Sequence, residues 1–347
     1  MTNDLPLVSV VMPNYNTPEA YLRTAIESIL KQTYRNIEFV IVDDASTGDD
    51  VQIILSYDDE RIVLIQNDSN MHVAFSLNRG IAASKGEYIA RMDADDVSLQ
   101  RRIEKQVRFM QKRDDIDVLC AQAEMFGDRK GVFAPNLRDA EDMKIAIFFT
   151  CPIVHPSVMM RASFIRENSL EYRTDLKYKA AEDYEFWSKC VSAGRLYEYP
   201  GVLLKYRTHA RQVTAESGSA QIGSANRVRK RMLKNLGIAV NQHETQVHYH
   251  FCTQSTSPDI ALSEFENWAR RLLAGNAQYD VFFVKRFETK VLQHFFIIAL
   301  KALLAKQVSL RQFIKFRLTR KALSPKYYPA YVSRLLFSKR LNRPVKT

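Results

Sequence analysis

The sequence predicts an α/β fold, a mainly parallel sheet with helices on both faces, followed by a mostly helical basic region. Three observations predict it. Short apolar runs alternate with segments of helical spacing through the first 100 residues. Three of those runs end on polar clusters: Asn14-Tyr15-Asn16, Asp43-Asp44 and Asp93 to Asp96. Beyond about residue 215 the pattern is helical, with no repeat or low-complexity run.

Residues 7–12 read as a buried strand that Pro13-Asn14-Tyr15-Asn16 breaks. A helix follows over 18–32, with Tyr21, Leu22, Ala25, Ile26, Ile29 and Leu30 on one face. Thr17 is its expected N-cap, ahead of Pro18 at the first helical position. Residues 37–42 form the next strand, 48–57 a helix and 61–66 a third strand. A helix over 73–84, closed by Gly86, leads to a fourth strand over 87–92. In parallel sheets of this kind ligands sit at the carboxyl ends of the strands, where the polar clusters fall. A helix over 98–112, a mixed β/loop region over 116–162, a helix opening near Glu182 and a strand over 197–207 complete the first domain, 1–220. The second, 221–347, is expected to be helical.

Four cysteines, Cys120, Cys151, Cys190 and Cys252, are widely spaced, which fits a reducing compartment. The N-terminus carries Asp4 in place of a basic cluster and reads as no signal peptide. No stretch reaches the ~20 apolar residues of a membrane span. The net charge of +11 is concentrated: residues 289–347 hold 14 of the 50 Lys/Arg and none of the 39 Asp/Glu.

Carboxylates at alternate positions, as in Asp93-Ala94-Asp95, can hold a hard cation directly or through its waters. Acidic residues also crowd loops and helix starts, and Asp96 reads as a cap for the helix opening near Ser98. Asp43-Asp44 can accept from a base N–H or a ribose hydroxyl, or bond its own turn before Ser46-Thr47-Gly48. Asp183 is either a first-turn carboxylate favoured by the helix dipole or a general base for a hydroxyl. His209 follows a strand, in a polar loop with Arg211 and Gln212, and imidazole is a competent ligand beside oxygen donors. His243, His248 and His250 match no standard metal spacing and read as packing or solvated residues.

Ordered blocks then carry a resemblance. They are residues 8–16, Ser28-Ile29-Leu30-Lys31-Gln32-Thr33-Tyr34, 41–46, Leu77-Asn78-Arg79-Gly80-Ile81-Ala82, 85–89, 92–96 and Ala181-Glu182-Asp183-Tyr184-Glu185. Together they resemble the family 2 glycosyltransferases, inverting enzymes of the GT-A fold. The resemblance implies that Pro13, Tyr15 and Asp44 form the pocket for the base, usually uracil. It places His72 and Asn78 with the donor, Asp93 at a ribose or sugar, and Asp95 at the metal, Mn²⁺ or Mg²⁺. It makes Asp183 the base and His209 a residue reaching metal or diphosphate. Where many members have Gly and then Arg or Lys, this chain has Asn70-Met71-His72-Val73-Ala74, with His72 in the basic position. Cys151 to Ser157 resembles the loop leading to the acceptor.

The expected partners are a UDP-linked sugar donor and a carbohydrate or lipid-linked glycan acceptor, in bacterial exopolysaccharide, capsule or lipopolysaccharide synthesis. In the tail, Phe295, Phe296, Ile298, Ala299, Ala302 and Leu303 make an apolar stripe, and Arg311, Lys315, Arg317, Arg320 and Lys321 follow. The stripe reads as packing, or as part of a surface that docks on an anionic membrane. The expected location is cytoplasmic, at the inner face of the membrane. No nucleic-acid module accompanies the charge. Two rivals stand beside this reading. Asp93-Ala94-Asp95-Asp96-Val97 also fits a haloacid-dehalogenase-type phosphohydrolase, although three α/β units precede it here. A non-catalytic module that binds sugar nucleotides is the other.

Overall fold

The computed structural model describes residues 5–137, 139–175, 178, 180–209 and 218–322. Among these residues the chain divides into two compact units. One runs through Ile147 and from Cys151 to Val228; the other holds Phe148–Thr150 and the residues from Arg229 on.

The first unit opens with β1 (Val8–Asn14), α1 (Glu19–Leu30), β2 (Ile37–Asp43), α2 (Asp50–Leu55), β3 (Ile62–Gln66), α3 (His72–Ala83) and β4 (Tyr88–Arg91). Then come β5 (Val97–Ser98), α4 (Arg102–Gln111), β6 (Val118–Gly127), β7 (Gly131–Phe133) and α5 (Ala140–Phe149). A 3₁₀ turn (His155–Ser157), β8 (Met159–Arg161), α6 (Ala162–Glu167), α7 (Glu182–Ala193), β9 (Leu196–Thr208) and α8 (Gly218–Lys234) follow, the last residues of α5 and α8 being counted with the second unit.

The nine strands form one mixed sheet, in the order β3-β2-β1-β4-β8-β6-β9-β5 with β7 beside β6. It is parallel through β3, β2, β1 and β4. Beyond β4, three of the pairs on this path are antiparallel and β6–β9 is parallel. The parallel part follows from the alternation of apolar runs with helices, because parallel neighbours need a crossover. It aligns Asn14 with Asp43 and Val11 with Arg91, so the polar ends of β1, β2 and β4 share one edge.

Strand alternation divides the packing. Val8, Val10 and Met12 join Leu22, Ala25, Ile26 and Ile29 of α1 in one core, all fully buried. Each Val, Leu, Ile and Met among them contributes about 1.5–3 kcal/mol of burial. On the opposite face Val11 meets α3. A Cβ on Gly80 would lie 2.5 Å from Val11 Cγ1 and 3.2 Å from Val42 Cγ2, so glycine sets how closely α3 approaches.

Several local expectations change. Pro18, not Thr17, occupies the cap position of α1, and its carbonyl accepts from the backbone N–H of Tyr21 and Leu22. Thr17 N instead donates to Asp50 Oδ1 at 2.9 Å, tying the β1 and β2 loops together. Gly86 does not close α3, which ends at Ala83. A Cβ on Gly86 would sit 2.6 Å from Ser9 N, so this glycine serves a close approach to β1. Asp96 does not cap a helix: α4 begins only at Arg102, and residues 97–98 are a strand. The start of α4 is met from outside by buried Gln32, whose Oε1 accepts from Ile103 N at 3.1 Å.

The second unit contains α9 (Gln242–Thr253), α10 (Leu262–Tyr279), α11 (Val284–Leu304), α12 (Leu310–Lys315) and α13 (Arg317–Ala322). Asn241 and Glu244 form a reciprocal capping box at the start of α9. The core is aromatic and histidine-rich. His294 stacks on Phe149 at 4.3 Å, and Trp268 Nε1 donates to His248 Nδ1 at 3.1 Å. The stripe expected in α11 is buried here through Phe295, Phe296, Ile298, Ala299 and Ala302. Among the described residues no helix is long and apolar enough to cross a membrane.

Candidate active site

A cleft of about 950 Å³ opens at the carboxyl ends of β1, β2 and β4 in the first unit. Its walls begin with the β1 and β2 loops. Asn14 donates to Asp43 Oδ1 at 2.8 Å and to Asp50 Oδ1 at 3.0 Å. Asp43 also accepts from Ser46 N and Ser46 Oγ, so its oxygens serve the turn. Asp44 accepts at Oδ1 from Asn67 Nδ2 and from Met71 N, and it lines the cleft with Pro13 and Tyr15. The two readings of Asp43-Asp44 therefore divide between neighbours: the first makes the turn, the second faces the cavity. Tyr15 is half exposed at the rim.

His72 also lines the cleft, as the first residue of α3. Its φ of 67° is the left-handed conformation that glycine favours, so its backbone takes the conformation of a glycine position. Asn78 lies outside the lining. Its amide donates to Tyr172 O and accepts from Tyr172 N, both at 2.8 Å, which leaves it a brace for the strand of chain that continues into Arg173 and Thr174 at the cleft.

The acidic turn after β4 is the electrostatic centre. Asp93, Asp95 and Asp96 present carboxylate oxygens within 4.8 Å of one another. Asp93 forms an ion pair with buried Arg91. Burial and the neighbouring Asp95 charge push its carboxyl upward, against the pull of Arg91. Burial and both neighbouring carboxylates raise Asp96 well above the usual range. Asp96 Oδ1 accepts from Arg207 N at 2.7 Å, and Arg207 Nε donates to Asp95 O at 2.7 Å. These ties follow from the β5–β9 pairing, which lays Val97 against Lys205. The same pairing brings His209 Nε2 to 3.0 Å from Asp95 Oδ2 across 114 positions of sequence. Arg211 and Gln212 lie outside the described residues. Clustered oxygens beside an imidazole suit Mg²⁺ or Mn²⁺, and a cation there would offset the repulsion that raises Asp93 and Asp96.

Across the cleft stands α7. Its Tyr184, Phe186, Trp187, Cys190 and Val191 are buried, and Glu185, fully buried, pairs with Lys189 at 3.0 Å. Glu182 and Asp183 are left at the cavity. Asp183 Oδ1 accepts from Tyr184 N at 2.6 Å, and Cys151 Sγ lies 3.9 Å from Oδ2. Burial raises the carboxyl of Asp183. Burial and then the charge of Asp183 push Glu182 to about 7. Together, a partly buried carboxylate and an acidic cluster suited to a cation, facing one cleft, have the chemistry to take a proton from a hydroxyl beside a cation-bound anion.

The model of the family Glycosyl transferase family 2 matches residues 9–171. An uncharacterized glycosyltransferase of Haemophilus influenzae is 34% identical over 251 residues, spanning 68% of this chain and 77% of the relative. The chain belongs to glycosyl transferase family 2. It is therefore a glycosyltransferase. A second relative is the Escherichia coli UDP-Glc:alpha-D-GlcNAc-diphosphoundecaprenol beta-1,3-glucosyltransferase WfaP, 28% identical over 248 residues, which cover 71% of this chain and 93% of WfaP. Among solved structures, S. aureus TarS 1-349 matches with a TM-score of 0.57 at 18% identity, over 88% of this chain and 93% of TarS. That likeness speaks for the fold, a GT-A-like sheet with a helical C-terminal region. TarS has also been crystallised with UDP and with UDP-GlcNAc.

Residue by residue, the glycosyltransferase cleft brings together Pro13, Tyr15, Asp44, His72, Asp93, Asp95, Asp183 and His209, and it leaves out Asn78. Sequence reasoning assigned no role to Arg91, His155 or Glu182, which also line it. His155 shares a 2.7 Å hydrogen bond with Tyr172 Oη, and burial and Arg91 keep its ring neutral by depressing its pKa. Arg91 is hidden because it ends an apolar run read only as strand. Glu182 had a signal: it adjoins Asp183 at a helix start.

Proposed function

We propose that this glycosyltransferase moves a sugar from a UDP-linked donor to an acceptor hydroxyl with inversion at the anomeric carbon. The observation that carries the reading is the convergence of Asp44, the Asp93–Asp95 turn and Asp183 on one cleft. The donor class is supported by the UDP donor in the name of WfaP and by the nucleotides bound to TarS. A lipid-linked glycan is the acceptor in this proposal, a class supported by the diphosphoundecaprenol-linked sugar in the name of WfaP; the product would serve assembly of a bacterial surface polysaccharide at the inner face of the membrane.

In this reading Pro13, Tyr15 and Asp44 hold the base, His72 lies along the donor, and Asp93 accepts from a ribose or sugar hydroxyl. Asp95 and His209 are the residues that would hold Mg²⁺ or Mn²⁺, which when bound supplies positive charge for the departing diphosphate. Asp183 takes the proton of the acceptor hydroxyl. The freed oxygen bonds to the anomeric carbon while the bond from that carbon to the diphosphate oxygen breaks, its electron pair leaving with UDP. The raised carboxyl of Asp183 makes it a stronger base than a solvated aspartate.

A panel of nucleotide sugars tests this: one UDP-sugar should be slowly hydrolysed, and only with divalent metal added. Release of phosphate from simple monoesters with no sugar-nucleotide turnover would favour the phosphohydrolase. Binding of a UDP-sugar with no turnover under any metal would favour the non-catalytic module.

A further inference from the structure

We infer that the turn joining α11 to α12, with the outer side of α12, is a docking surface for an anionic lipid bilayer. The inference deepens the reading of a membrane-borne acceptor and names the residues that would meet the membrane.

The short helix α12 has two different sides. Phe313 is buried, its ring set edge-on to Phe296 at 6.0 Å, and it anchors the helix within the second unit. Leu310 and Ile314, one helical turn apart, are 61% and 48% exposed. Leu304, at the end of α11 just before the turn, is 74% exposed, the most of any large apolar side chain described. Single exposed apolar residues are ordinary. Three around one turn, among cations and neutral polar residues with no carboxylate in the segment, call for a partner.

The charges have one sign. Lys306, Arg311, Lys315 and Arg320 are exposed, and a shallow groove is lined by Arg311, Ile314, Lys315 and Arg320. Among the described residues none of these four cations forms an ion pair. Lys321, by contrast, is neutralised by Glu288 and is left out of the surface. No Asp or Glu occurs between 289 and 347. Apolar side chains that enter the acyl boundary, ringed by unpaired cations, match a bilayer with anionic headgroups. A protein partner of acidic surface would use the cations but leave Leu304, Leu310 and Ile314 without an apolar counterpart.

The test is flotation of the full chain with vesicles, with no donor present. The protein should float with phosphatidylcholine vesicles containing about one-third phosphatidylglycerol, and far less with phosphatidylcholine alone. Combining R311Q, K315Q and R320Q should weaken partitioning roughly 100-fold, since each cation near the surface is worth about fivefold. Combining L310S and I314S should weaken it roughly tenfold or more while the salt dependence persists. Both variants should keep metal-dependent UDP-sugar hydrolysis, so loss of docking and failure of the proposed reaction are read separately. Equal flotation on neutral vesicles, or unchanged flotation of both variants, would overturn the assignment. So would loss of flotation only when the six Lys/Arg of 323–347 are changed to Gln. Tighter binding to a single-stranded oligonucleotide than to vesicles, insensitive to L310S and I314S, would replace it with a nucleic-acid surface.

Discussion

Asp183→Asn tests the proposed proton transfer apart from the hydrogen bond that holds the side chain. The amide oxygen can still accept from Tyr184 N, the 2.6 Å bond that fixes the side chain, so the first turn of α7 keeps its geometry. What is lost is the negative charge and the basic lone pair. General-base catalysis contributes roughly 10²–10⁴ in rate, so turnover should fall by that factor, about 2.7–5.5 kcal/mol in barrier. Donor affinity should stay within a few-fold, because the base pocket and the acidic turn are untouched. The assay is UDP release in the presence of acceptor, with donor binding measured separately by calorimetry. The pH profile adds a readout that lost packing would not give. A base whose carboxyl is raised by burial is protonated as pH falls, so wild-type turnover should decline on the acid side at a higher pH than a solvated aspartate would allow. Glu182 sits at about 7 in part because Asp183 is charged, so the variant should also shift Glu182 downward. Full transfer activity in Asp183→Asn would refute the base assignment. A loss of 10²–10⁴ in Glu182→Gln with Asp183→Asn unaffected would move the role to its neighbour.

Asp95→Ala and His209→Ala should each remove most metal-dependent donor binding while leaving the far-ultraviolet spectrum unchanged; titration of Mn²⁺ with and without UDP checks this. Asn78→Ala deletes both bonds to the backbone of Tyr172, and urea unfolding should show a loss of about 1–3 kcal/mol. Gly80→Ala puts a methyl 2.5 Å from Val11 Cγ1, and the same measurement should show about 1–3 kcal/mol of overpacking. In the second unit, burial first, then Arg229 and His294, hold His248 at about 3 against an ordinary 6.5. The unfolded chain therefore takes up a proton there that the folded chain refuses, and stability should decline as pH falls from 6.5 towards 3. Amide exchange in α9 and α10 follows this, and His248→Gln, which can still accept from Trp268, should flatten the trend.

Some of this is legible in the sequence. The parallel part of the sheet is, because a buried parallel strand reads as a short apolar run and its crossover helix as a stripe. The antiparallel extension is not. Residues 116–162 hold β6, β7 and β8, and the pairing of β8 between β4 and β6 depends on tertiary neighbours rather than any local period. The contact of His209 with Asp95 was available only through resemblance, since nothing in the chain near either residue announces a partner 114 positions away. Thr17 and Asp96 look like helix caps, but Pro18 holds the cap position of α1 and the Arg207 amide donates to Asp96 Oδ1.

What the sequence could not separate is the polar residue that builds a wall from the one that faces the cavity. Both sit at strand ends, in the same motif blocks, and both are needed there. The distinction lies in hydrogen-bond valence. Asn78 spends its amide on Tyr172, Gln32 spends its own on the start of α4, and Asp43 spends its oxygens on Asn14 and Ser46. Each buried group must satisfy its valences, and these do so within the fold. Asp93, Asp95 and Asp183 satisfy only part of theirs with neighbours of the same chain, and all three are turned to one cleft. A carboxylate held in low-dielectric surroundings beside others of its sign is costly to the fold. Grouping three of them accords with the proposed roles, a site for a cation and a base for a hydroxyl proton.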